Sequence, residues 1–258
     1  MSATTVGSAR LYLSKLALPR KATRIMLGAA TEPALDFDAQ KNQAAVVGSE
    51  VLSFVKGVSA VRRRDIVDCA LLAQLAANKK ASVSQEVFDW YNAYFEVLEN
   101  LGWVIQSKDF KSYTGQTTGL ETHEAILKVA AVVLGAGSTA LAIVVSTIEA
   151  MKSMDKDNPW ITIFNRESQH AEASRFQIGL AQQEPSGEFA ITMMAFELKA
   201  DYDTTQVLFF KFHTNKLNLE HCSGRITVDD AVLTGIRDTL REKLIGRSKG
   251  FVDAIDIG

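Results

Sequence analysis

Two cysteines in 258 residues, Cys69 and Cys222, exclude a disulfide framework and any paired-cysteine zinc site. A reducing compartment, or export that needs no disulfide, fits such a chain. Four prolines and 22% charged residues exclude collagen-like, low-complexity and disordered classes. A net charge of −2 excludes a global electrostatic case for nucleic acid. The four histidines, 123, 170, 213 and 221, are scattered and suggest no metal site. Phosphate-loop, G-x-S-x-G, H-E-x-x-H and kinase patterns are all missing, which lowers the case for an enzyme. An uninterrupted apolar core is missing from the N-terminus, so no secretory signal is expected.

What the chain does have is a run of twenty uncharged residues, Val129–Ile148, between Lys128 and Glu149. As one helix it would be ~30 Å long, the thickness of a bilayer core. Eleven of its positions are Ala, Gly, Ser or Thr, an atypical composition for a span and one suited to close helix packing. Three readings stand: a central buried helix or helix pair, a buried helix able to insert into lipid, and a constitutive span. The amphipathic elements around it favour the first two. A break at Gly135–Ser138, with Ser138 or Thr139 capping a second helix, is the variant of the first. Gly135-Ala136-Gly137-Ser138-Thr139-Ala140 also matches a dinucleotide fingerprint. That motif needs repeated parallel strand–helix–strand units, and the surrounding pattern does not supply them.

Before this run the chain reads as helices and after it mainly as strands. Ala9–Ala17, Gln40–Val58 (bent near Gly48 and Gly57), Arg62–Lys80 and Ser84–Leu101 carry helical spacing, the last most clearly through Val87, Tyr91, Tyr94, Leu98 and Leu101. Trp103–Ile105 suggests a short strand and Thr114–Gly119 a loop. Asp155–Pro159 is the strongest turn cluster and marks the seam between halves. Trp160–Phe164, Arg175–Ala181, Phe189–Leu198, Gln206–His213 and Leu217–Val228 read as strands, with turns at Gln183–Gly187 and Ala200–Thr205. Asp229 caps a final amphipathic helix over Asp230–Leu244. The expected class is α+β in a single domain spanning 1–258. It has a helical half (1–155) containing the central apolar helix, and an antiparallel meander (159–228). A C-terminal helix (229–247) covers the meander.

Charge is unevenly placed. Arg10, Lys15, Arg20, Lys21 and Arg24 precede the first acid, Glu32, and Arg62-Arg63-Arg64 opens a helix whose dipole they oppose. These eight residues are the candidates for contact with anionic lipid headgroups, set against a solvated or salt-bridged surface. The first five also resemble a mitochondrial presequence in composition. Chemistry, if any, centres on Cys222: a buried structural thiol, a lipid-attachment site, or a nucleophile with His213 or His221 as base.

Phe88–Val104 (FDWYNAYFEVLENLGWV), followed by the Gly-interrupted apolar run and by a meander ending near Glu220–Gly224 (EHCSG), resembles the Evf-type bacterial virulence factors. The resemblance implies a factor acting at membranes, from a family with no established enzymatic activity. It also implies a fatty acyl chain in thioester linkage on a cysteine of the C-terminal half, here Cys222. No metal or other cofactor is implied. The expected partners are membrane lipids, and the expected protein is soluble, cytoplasmic or exported without a classical signal, with peripheral membrane association.

Overall fold

Alternate side chains of a strand face opposite sides, so a strand apolar at every position must be covered on both. That requirement organises this chain. The computed structural model describes residues 3–19, 36–80, 87–106, 111–115, 122–153, 174–183, 189–199, 217–245 and 252–256. In chain order the elements are α1 (Val6–Lys15), β1 (Gln43–Val47), β2 (Glu50–Phe54), α2 (Ala60–Lys80), α3 (Val87–Asn100), β3 (Trp103–Ile105) and β4 (Lys111–Gly115). They continue as α4 (Thr122–Leu134), α5 (Thr139–Lys152), β5 (Ser174–Gln183), β6 (Phe189–Lys199), β7 (Leu217–Val228), α6 (Asp230–Leu244) and β8 (Val252–Asp256).

The class is α+β. The strands join in one sheet in the order β3-β7-β6-β5-β2-β1-β8, with β4 also paired to β7. The β5-β6-β7 meander is antiparallel as expected. The sheet does not stop there, because β2 adds to β5 in parallel, and β1 and β8 extend it antiparallel. The expected helix over Gln40–Val58 is therefore replaced by the β1–β2 hairpin. Val47 pairs with Glu50 across the two-residue turn Gly48-Ser49, and Gly48 takes φ +54°. Such turns favour glycine because their twist matches the flanking strands. The flanking runs AAVV and EVLSF are buried throughout, so they lack the alternation that would betray a strand.

Helices cover both faces of the sheet. Against one face lie α1, α2, α3 and α6, in a core that includes Ala45, Leu52, Phe54, Met193, Ala195 and Cys222 from the strands. Against the other lie α4 and α5, meeting Val46, Val51, Phe176, Ile178, Phe196 and Leu219. The uncharged run is thus two helices. Gly135 and Gly137 take φ +88° and +75°, conformations that end α4, and the Ser138 hydroxyl accepts from the Leu141 N–H at 3.0 Å to start α5. Among the described residues no helix is long and apolar enough to cross a membrane.

The other helices follow their sequence signals. Thr5 and Ser8 form a reciprocal capping box on α1, and Asp229 accepts from the Ala231 and Val232 N–H groups to begin α6. The expected turn at Asp155–Pro159 and the strands at Trp160–Phe164 and Gln206–His213 lie outside the described residues. So do Ser84 and most of the Thr114–Gly119 loop, although Thr114 and Gly115 themselves end β4.

Candidate functional site

Cys222 sits in β7 opposite Ala195 of β6, on the face covered by α3. It is buried and not in a disulfide. Beside it is a cavity of about 10 Å³ lined by Phe95, Ile105, Met193, Gly224 and Ile226. That volume admits about one water. A fatty acyl chain on the thiol would have to part α3 from the sheet or leave toward solvent.

His221 is adjacent in sequence and therefore on the opposite face. Its ring lies 6.4 Å from that of Phe196, and Lys111 of β4 is its cross-strand neighbour. Burial, then the Lys111 charge, hold the imidazole below its ordinary pKa. The strand geometry separates His221 from Cys222, so this pair forms no thiol–imidazole dyad. His213 lies outside the described residues. Cys69, the second cysteine, is buried in α2, where burial pushes its thiol far up. Among the described residues no group of three or more His, Cys, Asp or Glu could hold a metal.

The basic residues divide by what they touch. Arg63 is fully buried and donates to the Val58, Lys41 and Val55 carbonyls and to Gln43 Oε1, knitting the start of α2 to the β1–β2 hairpin. It is not placed to meet a headgroup, which corrects its assignment as a membrane contact. Arg62 pairs with Asp230 and stacks 4.6 Å from the Phe189 ring. Arg64 pairs with Asp68 at 3.2 Å, and Arg10 donates twice to the Gly235 carbonyl. Lys15, in the last turn of α1, is exposed. Arg20, Lys21 and Arg24 lie outside the described residues.

The corner between α4 and α5 is the exposed part of the uncharged run. Val132 is 85% exposed, and Gly135, Ala136, Gly137, Thr139 and Ala142 are open to solvent around it. The opposite stripe, Val129, Ala130, Ile143, Val144 and Ile148, is buried on the sheet. A hydroxyl pair, Ser53 Oγ to Thr147 Oγ1 at 3.0 Å, also ties α5 to β2.

A polar cluster escaped the sequence reading. Glu50, fully buried, accepts from Tyr94 Oη at 2.8 Å and Gln74 Nε2 at 3.4 Å, both on Oε2. The helical reading of Gln40–Val58 assigned Glu50 no role. A glutamate directly after a Gly-Ser turn was the one available signal.

No protein-family model and no curated protein matches the sequence. Among solved structures the chain is similar to the Evf virulence factor at 9% identity and a TM-score of 0.35, over 77% of this chain and 82% of that one. It is similar to a delta-endotoxin at 14% identity and 0.41, over 82% and 90%. The activated Cyt2Ba monomer from Bacillus thuringiensis subsp. israelensis follows at 18% and 0.27, over 50% and 72%. What the chain shares with the Evf virulence factor and these toxins is a weak resemblance of fold.

Proposed function

We propose that the protein is a virulence- or toxin-like factor acting at lipid membranes, and that the α4–α5 corner is the part that meets the bilayer. The observation that carries this reading is the exposed, uncharged surface around Val132, set on a helix pair with no charge from Val129 to Ile148. Contiguous exposed apolar surface, rather than a single exposed side chain, marks a contact site, and here Val132 joins the open uncharged residues at the end of α4 and the start of α5. Burying one valine side chain in lipid contributes about 1.5–3 kcal/mol. Lys15 and the basic residues 20, 21 and 24 supply attraction to anionic headgroups, about 1 kcal/mol for each cation held at the surface.

Cys222 is the residue proposed to carry a fatty acyl chain. One chain gives only marginal anchoring, so the corner and the basic segment would act as the second signal. Intact-mass measurement of the native protein reads the modification directly.

Co-sedimentation with liposomes of neutral and of mixed anionic composition tests the membrane reading. Val132→Asp sits at an exposed position that packing does not constrain, so it should fold normally and lower the bound fraction about tenfold or more. Wild-type protein that ignores both liposome types, or Val132→Asp binding as well as wild type, would overturn it.

A further inference from the structure

Glu50 stands at the junction of three elements. Its Oε2 atom accepts from Tyr94 of α3 and from Gln74 of α2, and Gln74 Nε2 also donates to the Val47 carbonyl of β1 at 2.7 Å. Its Oε1 atom is buried and has no hydrogen-bond partner. Directly beside it in the parallel β2–β5 register is Gln177, fully buried, with neither amide oxygen nor amide nitrogen hydrogen-bonded. The glycine at 179 leaves room for this arrangement, since a Cβ there would stand 3.7 Å from Glu50 Oε1 and 2.7 Å from Leu52 Cδ2. A carboxylate has only acceptors to offer. Oε1 as such an acceptor could take an N–H of the Gln177 amide as readily as a protonated Oε1 could donate to the Gln177 oxygen, so the amide does not choose the charge state. Burial does, because Glu50 is fully buried with no ion-pair partner among the described residues and an unpaired buried charge is the costlier form.

We propose that Glu50 is a proton-controlled latch, which as a carboxylic acid clamps the α2–α3 layer onto the sheet and as a carboxylate loosens it. The groups facing it are chiefly neutral. They are Gln74 from α2, Tyr94 and Tyr91 from α3, and Gln177 from β5, with the Cys69 thiol of α2 acting on Tyr94. Arg175 of β5 and Glu197 of β6 stand opposite each other farther along the same face, acting on Tyr91 with opposite signs. Burial raises the Glu50 carboxyl from 4.5 to about 7, against the smaller opposing effects of Tyr94 and Gln74. The packed layer therefore holds the proton more tightly than the loosened one. Its extra stability is present in full below pH 4.5 and is lost as pH rises toward 7. The same layer carries Phe95, which lines the cavity at Cys222, so loosening α3 would also uncover that thiol.

Hydrogen exchange on the full chain tests the latch, with wild type and Glu50→Gln compared at the same pH. Glutamine keeps both acceptances on its oxygen and donates to Gln177 through its amide, so it copies the protonated state at every pH. At pH 5 the α2 and α3 amides of the two proteins should exchange within a few-fold of each other. At pH 8 wild type should open on the order of 100-fold more often than Glu50→Gln, with α4 and α5 unchanged between them. Equal α3 exchange at pH 8, or an equal difference in α4–α5, would overturn the latch. A second measurement needs no variant. Among the carbon-13 carboxyl signals of labelled glutamates in wild type, one should titrate near 7, and titration of every glutamate near the ordinary value would overturn the proposal as well.

Discussion

Arg63→Ala removes a side chain that ties the first turn of α2 to the hairpin of β1 and β2. Its guanidinium donates from Nε to Val58 O at 2.9 Å, from Nη1 to Gln43 Oε1 at 2.8 Å, and from Nη2 to Lys41 O at 2.9 Å and Val55 O at 3.2 Å. It also lies 5.5 Å from the Phe54 ring centroid. A hydrogen bond from a charged donor contributes about 1.5–3 kcal/mol. Four of them do not simply add, because Lys41 and Gln43 lie near the surface and water can reach them once the side chain is truncated. The expected loss is about 3–5 kcal/mol, the range for breaking a buried charged network. Arg64→Ala removes a pair with Asp68 whose arginine is one-third exposed, and should cost about 1 kcal/mol or less. Urea denaturation followed by circular dichroism reads both, with unchanged slopes so that the midpoints can be compared. Arg63→Lys should recover little, since one ammonium cannot replace a planar fork. An Arg63→Ala midpoint indistinguishable from that of Arg64→Ala would refute the clamp and return Arg63 to the surface cations.

Two further substitutions probe the packing of the layers. Gly179→Ala should destabilise by about 1–3 kcal/mol through overpacking, because the new Cβ would approach Leu52 Cδ2 at 2.7 Å. Its cost in a thermal melt should shrink in a Leu52→Ala background, and additivity of the two would refute the contact. Asp65→Asn keeps the shape of a carboxylate that accepts from Arg237 at 2.7 Å and Arg241 at 3.0 Å, and removes its charge. With those arginines 25% and 40% exposed, the loss should be about 1–2 kcal/mol in the same assay. No change would mean that the Asp65 charge contributes nothing to holding α2 against α6.

The helices were legible where one face is wet. The helix α3 has its apolar positions at i, i+4 and i+7, and α6 has a capping aspartate and a clean stripe of Val232, Ile236, Leu240 and Leu244. Of the meander, the turns expected at Gln183–Gly187 and Ala200–Thr205 lie outside the described residues but for Gln183, while its strands at 174–183, 189–199 and 217–228 were legible through their alternation. The hairpin at 43–54 was not, because strands covered on both faces show no period, and Arg63 was misplaced with it. Its three arginines are alike in sequence, and only the carbonyls gathered by the hairpin end make the middle one internal. At the candidate site, the sequence offered Cys222 and His221 as neighbours, and the strand turned them to opposite faces.

By itself the sequence determined the α+β class and the uncharged character of the central run, and it offered a break at Gly135–Ser138, with Ser138 or Thr139 as cap, as one reading of that run. These are local properties, set by backbone preference, capping and composition within a few residues. Only the tertiary structure decided that β2 joins β5 in parallel and that α4–α5 covers the second face of the sheet. It also decided which part of the uncharged run is buried and which, around Val132, is open. Those outcomes depend on contacts between residues distant in sequence, such as Ser53 with Thr147 and Glu50 with Gln177, and no local pattern encodes such a pairing.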